Sequence, residues 1–83
     1  MATNLVHVGF GNYVAADRVL DIAVPTSAPM QRLIRRAKRE KIVLDLTSGR
    51  RTRTVIFMDN GTVVLAGIRP KTTQNRLAAA RAQ

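Results

Sequence analysis

Ile42-Val43-Leu44-Asp45-Leu46-Thr47-Ser48-Gly49-Arg50-Arg51-Thr52-Arg53-Thr54-Val55-Ile56-Phe57-Met58 places two apolar runs of β type on either side of a hydrophilic connection. The runs at 42–46 and 53–58 read as strands. The connection between them holds Arg50, Arg51 and Arg53 beside Gly49 and the small hydroxyl residues Thr47, Ser48 and Thr52. Anchored at both ends, it is a compact cationic site on a short loop.

Downstream, Asp59-Asn60-Gly61 is a hairpin signal, because Asn-Gly suits turn positions at positive φ. The returning strand is Thr62-Val63-Val64-Leu65-Ala66. Gly67-Ile68-Arg69-Pro70 breaks it, and 72–82 reads as a short helix holding Leu77 and several alanines. Upstream, Thr26-Ser27-Ala28-Pro29 is a helix start, a hydroxyl cap with proline in the first turn. Met30, Leu33, Ile34 and Ala37 then fall at i, i+3, i+4 and i+7, the spacing of one helical face. The opposite face carries Arg32, Arg35, Arg36, Lys38 and Arg39. Before it, 18–24 reads as a strand with Val19, Asp21 and Ala23 facing one way and Leu20, Ile22 and Val24 the other. A first strand at 4–8 stops at Gly9-Phe10-Gly11-Asn12, which has the composition of a turn.

The order is therefore β-β-α-β-β-β-α. It describes an α+β fold with a small, mostly antiparallel sheet, one amphipathic helix and a short C-terminal helix. The strands at 55–58 and 63–66 are apolar without alternation, so both of their faces need cover. Two helices look too few for that, and the expectation is a homo-oligomer whose neighbours complete the cover.

At 83 residues, 1–83 is one domain, here expected to combine DNA binding and oligomerisation. Fourteen Lys and Arg against five acids give a net charge of +9, which points to nucleic acid or an anionic surface as partner. A hydrophobic fraction of 46% argues against a disordered basic tail. Cysteine is absent, which removes disulfides and thiolate metal sites. With no run approaching the ~18 apolar residues of a membrane span, the expected location is cytoplasmic, associated with the nucleoid.

Enzymatic readings fail on inventory. His7 is the only histidine, and on an apolar strand it is expected in the core. The five acids are scattered, with no acid/base couple or metal cluster in view. Gly9-Phe10-Gly11 lacks the third glycine and following helix of a nucleotide-binding turn. No cofactor, metal, membrane or small-molecule substrate is implied.

Nine of the fourteen cations lie between Arg32 and Arg53. On the helix, Arg32/Arg36 and Arg35/Arg39 set like charges at i, i+4, each pair costing a few tenths of a kcal/mol. A basic solvated face explains these as well as an anionic partner does. The loop is more specific. Arginine forks bind phosphate oxygens in pairs, Gly49 lets backbone approach a phosphate closely, and Ser48 adds a hydroxyl donor. With three aromatic residues, Phe10, Tyr13 and Phe57, stacking platforms for single strands are scarce. Duplex DNA held by its phosphates is the expected ligand. A globule with a radius of gyration of roughly 12 Å spans less than one duplex turn of about 34 Å. Useful affinity then needs several copies acting together.

Val8-Gly9-Phe10-Gly11-Asn12, Pro25-Thr26-Ser27-Ala28-Pro29, Gly49-Arg50-Arg51-Thr52-Arg53-Thr54-Val55-Ile56-Phe57-Met58-Asp59 and Asn75-Arg76-Leu77 stand in this order along the chain. In these residues the chain resembles the extracellular matrix regulatory protein A (RemA) family, small bacterial DNA-binding regulators of biofilm matrix genes. The resemblance implies a ring-shaped homo-oligomer of about seven or eight subunits, activation of transcription, and a DNA path around the ring that resembles nucleosomal wrapping. Carried over by position, the DNA contacts are Arg18, Arg50, Arg51 and Arg53, although Asp17 beside Arg18 offers a plain ion pair. The helix arginines lie outside the family pattern and are left as auxiliary phosphate contacts, with Gly49 and Ser48. The alternatives are an RNA-binding protein using the same loop, or an assembly module that recruits an acidic protein.

Overall fold

The computed structural model describes residues 4–82. Six strands and two long helices follow in order: β1 Leu5–Gly9, β2 Asn12–Ala15, β3 Val19–Ala23, α1 Ala28–Arg39, β4 Val43–Leu46, β5 Thr54–Met58, β6 Val63–Ala66 and α2 Pro70–Arg81. The chain is α+β, with one strand more than the sequence predicts. Tyr13 and Val14, expected only to follow a turn, sit in β2, which pairs antiparallel with β1 as a separate two-stranded sheet.

The main sheet has four strands in the order β3-β5-β6-β4. β5 pairs antiparallel with β3 and β6, whereas β4 lies parallel to β6, with Leu46 beside Ala66. Thr54 also stands beside Ala66, on the opposite flank of β6. The arms of the opening stretch are therefore not neighbours in the sheet. β6 lies between them, and loop 47–53 arches over its end, across two strand spacings of about 4.8 Å each. The Arg53 amide donates to the Ala66 carbonyl at 2.9 Å and ties the arch down.

At its start α1 follows the sequence closely. Ser27 caps it, its hydroxyl accepting from the Met30 amide at 3.2 Å, and Pro29 in the first turn has no amide to satisfy. Of the predicted apolar face, Ile34 and Ala37 are buried and Met30 is half-buried, whereas Leu33 is 39% exposed. α2 begins two residues before the predicted start, with Pro70 as its first residue. The β5–β6 hairpin turns at the predicted place, although only Gly61, and not Asn60, takes positive φ. The strict alternation expected of β3 is broken by a bulge. Val19 pairs with Met58 and Asp21 with Phe57, so Leu20 is an extra residue without a partner and is 69% exposed.

Both faces of β5 and β6 are covered within the single chain, contrary to the expectation that neighbours are needed for that cover. Val55, Val63 and Leu65 pack under α1 with Ile34 and Ala37. Ile56, Val64 and Ala66 pack on the other side against Val6, Val8 and Val14 of the β1–β2 hairpin and Leu77 and Ala80 of α2. The hairpin is the cover that the sequence reading lacked. Asn4 donates to the Ala80 carbonyl at 2.7 Å and Arg81 to the Val19 carbonyl at 2.7 Å, which fixes α2 across the hairpin and the start of β3. Buried hydroxyls are satisfied too, as in the Thr54 Oγ1 donation to the Ile68 carbonyl at 2.6 Å.

Candidate nucleic-acid interface

The arch begins with Asp45. Its Oδ1 accepts from both the Thr47 amide (2.9 Å) and the Thr47 hydroxyl (2.6 Å). These two bonds, the hydroxyl one first, hold the Asp45 carboxyl below the ordinary carboxylate value, with nearby Lys38 adding to the effect. Thr47 is buried, Ser48 to Arg51 and Arg53 are exposed, and Thr52 is half-buried. The Arg50 amide then donates to the Thr47 carbonyl at 3.0 Å, closing a four-residue turn whose central residues, Ser48 and Gly49, have φ of 54° and 79°. Positive φ at both central positions is the signature of a type I′ turn, and glycine meets that demand at the second position without strain.

A second turn of the same kind lies beside it. Between Gly9 and Asn12 of the β1–β2 hairpin, Phe10 and Gly11 have φ of 54° and 78°. The Phe10 ring meets the first turn directly, with the Arg50 guanidinium carbon 3.9 Å above its centroid. Gly67 makes the approach possible. A methyl group there would stand 3.0 Å from the ring's Cε2 and 3.7 Å from the Arg51 carbonyl oxygen. In the sequence Gly9-Phe10-Gly11 reads as turn material alone, and the structure adds Phe10 to the site. A bulky residue between two glycines was the available signal, since such a residue at positive φ costs about 1–2 kcal/mol and needs a compensating contact.

The predicted cations meet different neighbours. Arg50 lies on Phe10, while Arg51 and Arg53, but not Arg50, line a groove with Lys38, Arg69 and Lys71. Arg18 is elsewhere. It sits in a single 3-10 turn at Ala16–Arg18, its carbonyl accepting from the Asp59 amide at 2.8 Å and its side chain 3.3 Å from Asp59 Oδ2. Its ionic partner is therefore Asp59 and not the adjacent Asp17. Asp59 follows β5 and Arg53 precedes it, so strand length alone, at about 3.3 Å per residue, separates Arg18 from the arch by roughly 17–20 Å. Arg32, Arg35, Arg36 and Arg39 are all exposed on α1, and none of them lines the groove. Arg36 pairs with Glu40 at 3.3 Å. His7 is not a core residue. It is half-buried, with its ring centroid 5.0 Å from that of Tyr13 and its carbonyl accepting from Arg76 at 3.0 Å.

No helix among the described residues is long and apolar enough to cross a membrane. Comparison with known proteins gives the lineage. The family model described as extracellular matrix regulatory protein A-like matches residues 5–77. A Dehalococcoides mccartyi protein is 44% identical over 81 residues, covering 98% of this chain and 84% of its own. One from a Synechococcus strain is 48% identical over 81 residues, covering 98% and 91%. One from Clostridium botulinum is 45% identical over 78 residues, covering 94% and 86%. All three are provisionally named regulatory proteins, and nothing in those names specifies a ligand. The match spans both turns, the arch and most of α2, and the chain belongs to the RemA-like family of regulatory proteins.

Proposed function

We propose that the protein is a double-stranded DNA-binding regulator of extracellular matrix (biofilm) genes, acting as a ring-shaped homo-oligomer in the cytoplasm at the nucleoid. Arg50, Arg51 and Arg53 contact phosphates on this reading, with Arg18 assisting. The observation that carries it is the anchored arch. Three exposed arginines stand on a loop fixed by Asp45, by the Thr47–Arg50 turn and by the Ala66 carbonyl, and no acid pairs with any of the three among the described residues. A backbone already fixed spares binding the cost of ordering the loop, and phosphate contacts position a protein on a duplex. Gly49 and Ser48 lie at the crest of the arch as auxiliary contacts, with Arg32, Arg35, Arg36 and Arg39 as a peripheral basic face.

Duplex is favoured over single strands because exposed rings are few, with Arg50 over one face of Phe10 and Tyr13 as the other exposed aromatic among the described residues. Oligomerisation is favoured by the separation of Arg18 from the arch, since neighbouring copies can bring such separated cations onto one path. It is also favoured by exposed apolar residues on both edge strands of the main sheet, Leu20 on β3 and Leu44 on β4. Two different edges meeting head to tail close into a ring when the rotation allows. Bending of the duplex around such a ring would follow from the spread of contacts.

The test is a parallel titration of duplex DNA, single-stranded RNA and an acidic polypeptide across a salt series. Duplex DNA should be preferred at ~150 mM salt. Arg50→Ala with Arg51→Ala should abolish that binding without changing the particle's elution volume. RNA or polypeptide preference would overturn the reading, and loss of assembly in the double variant would move these arginines to the subunit interface.

A further inference from the structure

The groove behind the arch holds more than a DNA contact requires. It lies between α1, the end of β3, the arch and the start of α2, and is an open cleft of about 940 Å³. That is near the top of the ~300–1,000 Å³ range of small-molecule sites. Five cations line it, namely Lys38, Arg51, Arg53, Arg69 and Lys71, and no carboxylate does. None of the five is ion-paired among the described residues. They come from α1, the arch and the entry to α2, so the cluster is made by the fold and not by a run in the sequence.

The start of α2 adds to this excess of positive charge. Its cap residue, Arg69, gives no side-chain cap, and no acid stands in the first turn. Pro70 has no amide hydrogen, and the first-turn amides of Lys71 and Thr72 have no acceptor among the described residues. Cations gathered at the positive end of a helix dipole repel it as well as one another, an arrangement that an anion relieves. The groove is also not polar throughout. Val24, 48% exposed, supplies an apolar part of its lining beside the buried Pro25, Ile34 and Leu65, with the Gln31 side-chain amide donating to the Pro25 carbonyl across one end. Phosphates on a duplex would meet the cationic rim and leave that apolar lining unused.

We propose that this groove binds a nucleoside polyphosphate, with the phosphates on Lys38, Arg69, Lys71 and the α2 amides and the base against the apolar lining. A free nucleotide carries both features in one small molecule. The proposal does not depend on DNA binding, because it rests on Lys38, Arg69 and Lys71, to which no DNA contact is assigned.

The experiment is calorimetric titration of the full chain with ATP in the presence of a chelator, with inorganic triphosphate and with adenosine. ATP should bind most tightly, triphosphate more weakly, and adenosine not at all at about 1 mM. Lys38→Gln and Lys71→Gln should each weaken ATP about tenfold. Lys41→Gln, an equal charge change outside the groove, should leave it unchanged. Duplex DNA is titrated against the same variants. Absence of ATP binding overturns the proposal, and so does an equal loss in Lys41→Gln, which would mean a diffuse charge effect. A parallel loss of duplex binding in the two groove variants would instead make the groove part of a DNA track. A thymidine oligonucleotide that displaces ATP and binds more tightly would assign it to single strands. Failure of duplex DNA to bind at all would sink the regulator reading and leave the ATP result standing.

Discussion

Phe10 shows how one side chain can set the geometry of another. A phenylalanine at φ 54° is strained, and its ring is held between the Arg50 guanidinium and Gly67. Arginine over an exposed ring gains about 0.5–1 kcal/mol, and the same contact limits where the fork can point. Phe10→Leu keeps apolar bulk but removes the ring face. It should weaken duplex binding by about two- to fivefold per site with the fold intact, as read by filter binding alongside circular dichroism. Unchanged affinity would show that Arg50 needs no ring. Asp45 acts at the other foot of the arch. Its folded-state pKa lies below the ordinary 3.8, so its contribution is complete above that value and is lost as pH falls through the lower, folded one. The Thr47 amide resonance should therefore shift with a midpoint below 3.8. A midpoint at or above that value would mean that the two bonds to Thr47 do not hold in solution.

At the level of elements, α1 rests on a cap and one narrow apolar stripe. Ser27→Ala should cost about 1 kcal/mol through the lost cap. Ile34→Ala, 6% exposed beneath the sheet-facing side, should cost about 2–5 kcal/mol, both measured by denaturant titration. Leu33→Ala should cost much less, because the protomer leaves Leu33 39% exposed. A cost equal to that of Ile34 would show that a neighbouring copy buries it. α1 and the β5–β6 hairpin were legible in the sequence because their signals are local, a hydroxyl cap before proline in one case and Asn-Gly between apolar runs in the other. β2 was not, since only Val14 of its four residues is buried and no period can be read from one position. The bulge at Leu20 was hidden for a related reason, as one inserted residue looks like continued alternation. The identity of the second cover over β5 and β6 was out of reach, because it depends on contacts as distant as Asn4 with Ala80. The site divides in the same way. The arch arginines stand together in the sequence, but their meeting with Phe10 on one side and with Lys38, Arg69 and Lys71 on the other is made by tertiary structure.

The whole protomer has a radius of gyration of 12.2 Å and a longest extent of 35 Å, close to one duplex turn of about 34 Å along that axis and shorter along the others. Four arginines on one copy give a salt slope of no more than about −3.6, at roughly −0.9 per phosphate neutralised, and modest affinity at physiological salt. The proposed ring would change this by presenting the same cations many times, since linked sites gain on the order of 10²–10⁴ in avidity without any new contact. The β5–β6 faces cannot drive the proposed assembly, because each chain covers them itself, which leaves the edge strands to carry it. Leu20 is 69% exposed on the β3 edge and Leu44 is 48% exposed on the β4 edge. Replacing both by glutamate would put a charge on each half of the proposed head-to-tail contact while leaving the core untouched. The double variant should fold, run as a monomer by native mass measurement, and bind duplex DNA weakly with the shallow slope of a single copy. The parent protein should be heavier and its slope steeper. A variant that keeps the parent mass would place the interface elsewhere, and a monomer that keeps the parent affinity would show that one arch is enough.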